Sequence, residues 1–279
     1  MSSLRKKIFG KVVSNDFSWT FIKGPVAASA HIKHYREQVI RQREIQPIID
    51  KATTLFSDLV VKNGPFKGLK YPEFLATGSA IFPKLVGSYE RELHPLVEEL
   101  IKNNYSQLID VGCAEGFYAV GLALKSPKTE VFAYDTDPVS RKACLAMAKL
   151  NKVDERVAIG STCTAETLKN FPFKGKTLII SDCEGYEKQL LTRENIQQLK
   201  ECDLLIEIHD FVDKHTSTYI KELFTKTHSL KVIDSLSDHL KVMRYEYPEL
   251  SDLDYKHKFT SLAEGRPGTM EWFYLTPKN

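Results

Sequence analysis

From residue 107 to the C-terminus, short apolar runs alternate with stretches whose apolar residues recur every three or four positions. The short runs have the length of buried strands, and the longer stretches have the period of helices that pack on one face. Such alternation predicts an α/β fold with a seven-stranded, mostly parallel sheet covered by helices. The predicted strands are 107–111, 130–134, 157–159, 177–181, 204–209, 230–234 and 271–275, and the intervening helices are 116–125, 139–151, 164–170, 186–199 and 216–227.

The chain before residue 107 has a different pattern. Residues 1–27 are basic, aromatic and interrupted by Gly24-Pro25, which predicts an irregular arm. A helical period runs from about 28 to 60, and Pro47 should kink this helix or start a second one. Residues 61–88 contain four glycines and three prolines and predict a connector, followed by a helix at 92–103. We therefore expect a basic arm and helical extension at 1–60, a connector with its lead-in helix at 61–105, and a main domain at 106–279.

Composition and charge narrow the class of protein. Apolar residues make up 42% and charged residues 27%, as in ordinary globular domains. Residues 1–45 contain nine Lys and Arg against three acids, so this arm either touches an anionic membrane surface or phosphate, or is a solvated helix face. No apolar stretch is long enough to span a membrane. The five cysteines are widely spaced and form no CxxC pair, which favours a reduced, cytoplasmic protein without disulfides or a zinc site.

Two motifs predict a nucleoside site. Gly112 and Gly116 follow the first strand and open a helix, so the backbone can approach a ligand closely and the helix N-terminus can face it. Asp135 ends the second strand, 19 residues after Gly116. An acid at about 20 residues binds ribose hydroxyls in sheets of this type. Asp137 is the second choice for that role, because it precedes Pro138 and is placed to cap the next helix.

Asp110 distinguishes between nucleoside ligands. It lies two residues before Gly112, at the carboxyl end of the first strand. A carboxylate there suits the α-ammonium group of S-adenosylmethionine (SAM) and would repel the pyrophosphate of a dinucleotide. The sequence therefore favours SAM over NAD.

Three segments together resemble class I SAM-dependent methyltransferases. They are Asp110-x-Gly112-x-x-x-Gly116, the acid after the second strand, and Asp182-Cys-Glu-Gly-Tyr-Glu187 after the fourth strand. The last segment, with 63–68 and 84–93, specifically resembles the FkbM-like group, although Ala114 stands where many methyltransferases have glycine. The resemblance covers about residues 60–275. It implies a Rossmann-like sheet of the class I methyltransferase type, an N-terminal helical extension outside it, and SAM as the cofactor.

The resemblance also implies roles for individual residues. Asp110, Gly112, Cys113 and Gly116 would surround the methionine part of SAM. Asp135 would bind the ribose, and Ser161, Thr162 and Cys163 would lie at the edge of the adenine. Asp182 would lie beside the transferred methyl group, and Tyr89 and Glu90 would approach the cofactor from the N-terminal side.

The ends of the fourth and fifth strands carry the candidate catalytic residues. Asp182 and Glu184 follow the fourth strand, where the strand order of this fold reverses and ligands bind. His209 ends the fifth strand and is a candidate general base, since the pKa of histidine is near neutrality. Two alternatives are open: Asp182, His209 and Asp210 hold a divalent cation, or Glu207 and His209 form a buried hydrogen-bonded pair.

These observations predict methyl transfer by direct displacement from SAM to a hydroxyl of a small molecule or glycan. The alternatives are a protein or nucleic acid acceptor, or SAM binding without turnover. A nucleic acid is disfavoured, because the segment after the fourth strand is acidic and lacks a pocket for a flipped base. The apolar stripe at 28–60 is expected to cover the site or to form a homodimer. The segment 266–272 is expected to bring a loop near the acceptor.

Overall fold

The computed structural model describes residues 13–278, with the backbone alone at 30, 31, 41 and 42. The chain divides into two compact units, Met1–Lys51 and Ala52–Asn279. The basic residues Arg5, Lys6, Lys7 and Lys11 of the predicted arm lie outside the described residues. The predicted three-part division of the chain stays a prediction.

The first unit contains most of helix α1, Asp16–Leu55. The prediction of an irregular segment is wrong for residues 16–27, and the predicted start of a second helix at Pro47 is wrong, because α1 runs through Pro25 and Pro47. The predicted kink at Pro47 stays a prediction, and residues 1–12 lie outside the described residues. An internal proline removes one backbone hydrogen bond. The Ala, Arg, Gln, Glu and Lys residues that are frequent in α1 have the highest helix propensities, so they offset that loss.

The second unit contains the strands and the other helices. The strands are β1 Gln107–Val111, β2 Glu130–Tyr134, β3 Val157–Gly160, β4 Thr177–Ser181, β5 Asp203–Ile208, β6 His228–Asp234 and β7 Glu271–Pro277. The helices are α2 Ile81–Val86, α3 His94–Lys102, α4 Phe117–Lys125, α5 Pro138–Leu150, α6 Ala165–Lys169, α7 Glu187–Leu190, α8 Ile196–Leu199, α9 Thr216–Phe224, α10 Asp238–Arg244 and α11 Tyr255–Leu262. Short 3₁₀ turns lie at Arg91–Leu93, Asp154–Arg156 and Pro248–Leu250.

The seven strands form one sheet in the order β3-β2-β1-β4-β5-β7-β6. Strands β1 to β5 pair in parallel, and β7 is antiparallel to both β5 and β6. This confirms the predicted Rossmann-like, mostly parallel sheet. The strand order reverses between β1 and β4, which leaves a crevice at their carboxyl ends.

The central strand β1 is buried along its whole length. Leu108 packs into the core on one face of the sheet, and Ile109 and Val111 pack into the core on the other face. Because successive side chains of a strand point to opposite faces, Asp110 shares the face of Leu108. A carboxylate is thus built into the interior at the carboxyl end of the sheet.

Two parts of the helix prediction are corrected. The helix predicted at 186–199 is divided into α7 and α8 around the buried Asn195. The Asn195 side-chain amide donates to the Leu190 carbonyl at 2.8 Å, and its Oδ1 accepts from the Thr192 N–H at 3.0 Å. These bonds use backbone groups that a continuous helix would pair internally. In addition, α2 lies within the predicted loop-rich connector, and it ends at Gly87 in the left-handed conformation.

The sequence also led to predictions about the cysteines and about membrane-spanning segments. All five cysteines are free, and four of them are buried. Within residues 13–278, no helix combines the length and the apolar character that crossing a membrane requires.

Gly87 and Gly68 provide a test of the packing of the connector. Gly87 has φ +81, and an added Cβ would lie 2.0 Å from the carbonyl oxygen of Asn63, whereas Gly68 has φ +93 and no atom within 4 Å of that position. Gly68→Ala should therefore lower the free energy of unfolding only by the left-handed strain, about 1–2 kcal/mol. Gly87→Ala must also displace the Asn63 backbone and should cost at least about 2 kcal/mol more. Urea denaturation measures both, and equal losses would contradict the close approach.

Candidate active site

A cleft of about 670 Å³ opens at the carboxyl ends of β1, β2, β4 and β5, within the second unit. It lies where the strand order reverses, which is where sheets of this type bind ligands. Turns after the strands form its floor. The connector segment 77–89 and the loop 264–270 contribute to its walls.

The turn after β1 brings the backbones that follow β1 and β4 into contact. Gly112 has φ +87, and an added Cβ would lie 1.7 Å from the carbonyl oxygen of Asp182. Gly116 precedes α4, and a Cβ there would lie 3.0 Å from the Sγ of Cys144 on α5. Both glycines therefore make room for neighbouring protein segments. Only Gly112 also lines the cleft.

Asp135 links this turn to the end of β2. Its Oδ2 accepts a hydrogen bond from the Ala114 N–H at 2.9 Å, and its Oδ1 accepts one from the Asp137 N–H at 2.8 Å. Ala114 has φ +47, a conformation that costs a non-glycine residue about 1–2 kcal/mol, so this bond stabilises a strained turn. The Asp137 side chain caps α5, which is the role that its position before Pro138 indicated.

Asp110 lines the cleft, and one of its carboxylate oxygens has no hydrogen-bond partner within residues 13–278. Its side chain is buried, and Oδ2 has no hydrogen-bond partner among the described residues. Burial raises the pKa of Asp110 to about 7, although a backbone hydrogen bond from Ala119 opposes the shift. A buried polar atom of this kind requires a partner, and the cleft is where a ligand can supply one.

Arg266 joins three carboxylates from distant parts of the chain. It forms ion pairs with Glu90 and Glu207, and its Nε lies 2.9 Å from Glu264. The three carboxylates are buried. Burial raises the pKa of Glu90 to about 7, while the charge of Arg266 acts in the opposite direction. The clamp formed by these four residues holds the loop 264–270 against β5.

His209 follows β5 and has acids at both ring nitrogens. Nδ1 lies 2.6 Å from Glu187 Oε1. Nε2 lies 3.4 Å from Asp182 Oδ1 and 3.5 Å from both Glu184 Oε2 and Glu207 Oε2. Burial alone lowers the pKa of His209, but the hydrogen bonds to Glu187 and Glu207 raise it to about 10. The ring is therefore protonated at neutral pH. This disfavours the predicted general base and favours the predicted buried pair with Glu207, extended by Glu187.

Asp182 presents an oxygen that the protein leaves without a hydrogen bond. Its Oδ1 is buried and has no such partner within residues 13–278. Burial and the neighbouring Glu207 raise the pKa of Asp182 well above its usual value. Asp182 lines the cleft directly after β4.

The cation site predicted from the sequence has a different ligand set in the structure. Ligand atoms of Asp182, Glu207 and His209 lie within 4.8 Å of one another. Asp210 is not part of this group, because its Oδ1 accepts a hydrogen bond from the Ser217 N–H at 2.8 Å, in the first turn of α9. Three residues could thus hold a divalent cation, and Glu207 takes the place predicted for Asp210.

Most of the predicted site residues lie together. Glu90 and Gly116 do not line the cleft. The Glu90 carboxylate accepts a hydrogen bond from the Tyr118 hydroxyl and pairs with Arg266, and its predicted cofactor contact stays a prediction. The predicted residues that line the cleft are Tyr89, Asp110, Gly112, Cys113, Asp135, Asp137, Ser161, Thr162, Cys163, Asp182, Glu184, Glu207 and His209.

Sequence reasoning missed three buried charges at or near the cleft. Glu187 is fully buried, whereas the predicted Glu184 is 72% exposed. Lys84 and Glu115 form a buried ion pair at 2.5 Å. Acids and lysines are rarely buried unless they are paired, and pairs this distant in sequence leave no local pattern. The motif at 182–187 contains both Glu184 and Glu187, but its sequence does not show which of the two is buried next to the site.

Part of this chain is similar in sequence to known proteins. Residues 95–181 match the model of the family described as ribosomal protein L11 methyltransferase (PrmA). The ribosomal protein L11 methyltransferase of Herpetosiphon aurantiacus is 37% identical over 71 residues, 23% of this chain and 22% of that protein. The chain thus spans about a fifth of the length of this relative. The segment from α3 to the end of β4 is therefore similar in sequence to methyltransferases.

Solved structures that match this chain share little of its sequence. The precorrin-6Y C5,15-methyltransferase of Geobacter metallireducens is 12% identical with a TM-score of 0.44, covering 66% of this chain and 88% of that chain. A geranyl diphosphate methyltransferase in complex with GPP and sinefungin is 10% identical with a TM-score of 0.40, covering 67% of this chain and 79% of that chain.

The clamp around Arg266 can be tested by stability. Arg266→Met removes the cation that pairs with the buried Glu90 and Glu207, whereas Glu264 keeps its ion pair with Lys241. Breaking a buried ion pair from one side costs about 3–5 kcal/mol. We expect the free energy of unfolding, measured with urea at neutral pH, to fall by at least about 3 kcal/mol. Arg193→Met is the matched control, because Arg193 is exposed, and it should change stability by less than about 0.5 kcal/mol. A similar small effect for both variants would contradict the clamp.

Proposed function

We propose that this chain is a SAM-dependent methyltransferase whose acceptor is a hydroxyl of a small molecule or glycan. The observation that carries the proposal is Asp110, a buried carboxylate with an unpartnered oxygen at the cleft. The α-ammonium group of SAM would supply the missing cation, whereas a dinucleotide pyrophosphate would be repelled. The assignment to the FkbM-like group, on segment 182–187, is part of this proposal.

The rest of the cofactor would follow the ends of the strands. Asp135 keeps acceptor capacity beyond its two backbone hydrogen bonds and would bind the ribose hydroxyls. Ser161, Thr162 and Cys163 line the cleft after β3 and would lie along the adenine. When bound, SAM supplies a methyl group that is already activated on a sulfonium. The protein's main contribution is then to align the acceptor and exclude water.

A hydroxyl acceptor needs a group that takes its proton. His209 is engaged at Nδ1 by Glu187, and its Nε2 faces the acids Asp182, Glu184 and Glu207. This leaves Oδ1 of Asp182, which has no hydrogen-bond partner among the described residues, as the receiving atom. His209 and Glu187 would keep that carboxylate in position. The alternative is a divalent cation on Asp182, Glu207 and His209 that lowers the pKa of the acceptor. Methyl transfer that persists in EDTA would exclude this alternative.

The match to ribosomal protein L11 methyltransferases favours a second candidate, a protein acceptor. The matched residues 95–181 contain β1 to β4 and thus the proposed cofactor side. Asp182, His209 and Arg266 fall after them, so the match says more about the cofactor than about the acceptor. The acidic groups around the transfer site oppose a nucleic acid acceptor.

Calorimetric titration with SAM and with NAD tests the cofactor. We expect SAM to bind and NAD to give no response. Asp110→Asn should weaken SAM binding at least about tenfold, since it removes the charge that pairs with the ammonium group. Asp154→Asn is the control, because Asp154 is exposed and does not line the cleft, and the affinity of this variant for SAM should stay within about twofold. Absence of SAM binding to the wild-type chain would overturn the proposal.

The affinity for SAM should also depend on pH. Burial raises the pKa of Asp110 to about 7, so below that pH the carboxyl is neutral and cannot pair with an ammonium group. The association constant should therefore fall by up to about tenfold per pH unit below 7. Titrations between about pH 5.5 and pH 7.5 keep the ligand's amino group charged. An equally steep dependence in Asp110→Asn would assign the effect to another group.

A further inference from the structure

The connector contributes the buried ammonium group of Lys84 to the cleft. Thr77, Gly78, Ser79 and Lys84 line the same cleft as Asp110. The Lys84 side chain is only 3% exposed. A lysine buried to this degree requires anionic or polar partners, because the ammonium group has lost its water.

The protein itself supplies two hydrogen-bond acceptors for the Lys84 ammonium group. Lys84 Nζ donates to Ser79 Oγ at 2.7 Å and to Glu115 Oε1 at 2.5 Å. The same Glu115 accepts hydrogen bonds from the Thr77 N–H at 3.0 Å and the Tyr71 hydroxyl at 3.2 Å. Because Glu115 belongs to the turn between Gly112 and Gly116, it ties segment 77–84 to the end of β1. An ammonium group has three N–H donors, and these two oxygens occupy two of them.

Two further polar atoms in the cleft walls have no hydrogen-bond partner within the described residues. They are Asp110 Oδ2 and Thr77 Oγ1, and both are buried. The cleft therefore offers a carboxylate oxygen, a hydroxyl and an ammonium group with a remaining donor. This set is the complement of a free amino acid group, which carries an ammonium and a carboxylate on one carbon.

We infer that Lys84 and Thr77 bind the carboxylate of the cofactor's amino acid tail, opposite Asp110, which binds its ammonium group. This rests on the proposed function, since it concerns the same cofactor. Lys84 is thus a binding residue contributed by the connector, outside the strand–helix units. The site would select ligands with an intact amino acid tail over ligands that have lost the carboxylate.

A purely structural role for Lys84 predicts a different result. If Lys84 only neutralised Glu115, its removal would loosen segment 77–84 and weaken every ligand of the cleft to a similar degree. If Lys84 binds the carboxylate, only ligands that carry the carboxylate are affected. Ligands that differ in the tail alone therefore separate the two roles.

The test uses three ligands on the full chain. S-adenosylhomocysteine has the complete tail, decarboxylated SAM lacks only the carboxylate of SAM, and 5′-methylthioadenosine lacks the amino acid group. We expect Lys84→Met to weaken S-adenosylhomocysteine at least about tenfold in calorimetry, as for loss of a charge-assisted hydrogen bond. The affinities for the other two ligands should stay within about threefold. Lys84→Arg should restore part of the loss, and Lys70→Met, at an exposed lysine of the connector, should have no effect.

The outcomes that overturn the inference are specific. Equal weakening of all three ligands in Lys84→Met would assign Lys84 a structural role. If the variant does not fold, the wild-type chain still decides, because SAM should bind it at least about tenfold more tightly than decarboxylated SAM. Equal affinities there would overturn the inference and leave the proposed function intact. Failure of the wild-type chain to bind both SAM and S-adenosylhomocysteine would instead overturn the proposed function.

Discussion

Charge buried at the carboxyl ends of the central strands is the constraint on which the rest of this structure depends. Asp110 and Glu207 are buried in β1 and β5, and the partly exposed Asp182, whose Oδ1 is buried, directly follows β4. An isolated buried carboxylate is costly, so each needs a compensating cation or hydrogen bond. The surrounding elements are arranged to meet that need to different degrees at the two ends of the cleft.

The acceptor end is largely neutralised by the protein itself. Arg266 pairs with Glu90, Glu207 and Glu264, and the protonated His209 lies between Glu187 and Asp182. Such networks hold their members in one geometry, because every rearrangement would leave a buried charge unpaired. The region next to the proposed transfer site is therefore rigid before an acceptor arrives, which is what alignment of a displacement reaction requires.

The cofactor end is left incomplete. Asp110 Oδ2 and Thr77 Oγ1 have no partner in the described chain, and Lys84 has a donor in reserve. Incomplete polar groups weaken the ligand-free protein and favour the complex with a ligand that satisfies them, so binding and stability are linked. Under the proposed function, this contrast would let one cleft bind a charged cofactor and still present Asp182 to an acceptor.

The sequence by itself determined the sheet and the positions of the residues proposed to bind the cofactor, because strands, glycine turns and strand-end acids are local patterns. The seven strands and the positions of Asp110, Gly112 and Asp135 follow from periodicity and from the rule that ligands bind at the carboxyl ends of parallel strands. Only the tertiary structure decided which charges are paired. Apart from the bond between Arg266 and Glu264, the contacts of the Arg266 clamp, the Lys84–Glu115 pair and the contact between Glu187 and His209 join residues 22 to 176 positions apart. The protonation of His209 depends on such contacts, and no local pattern encodes them.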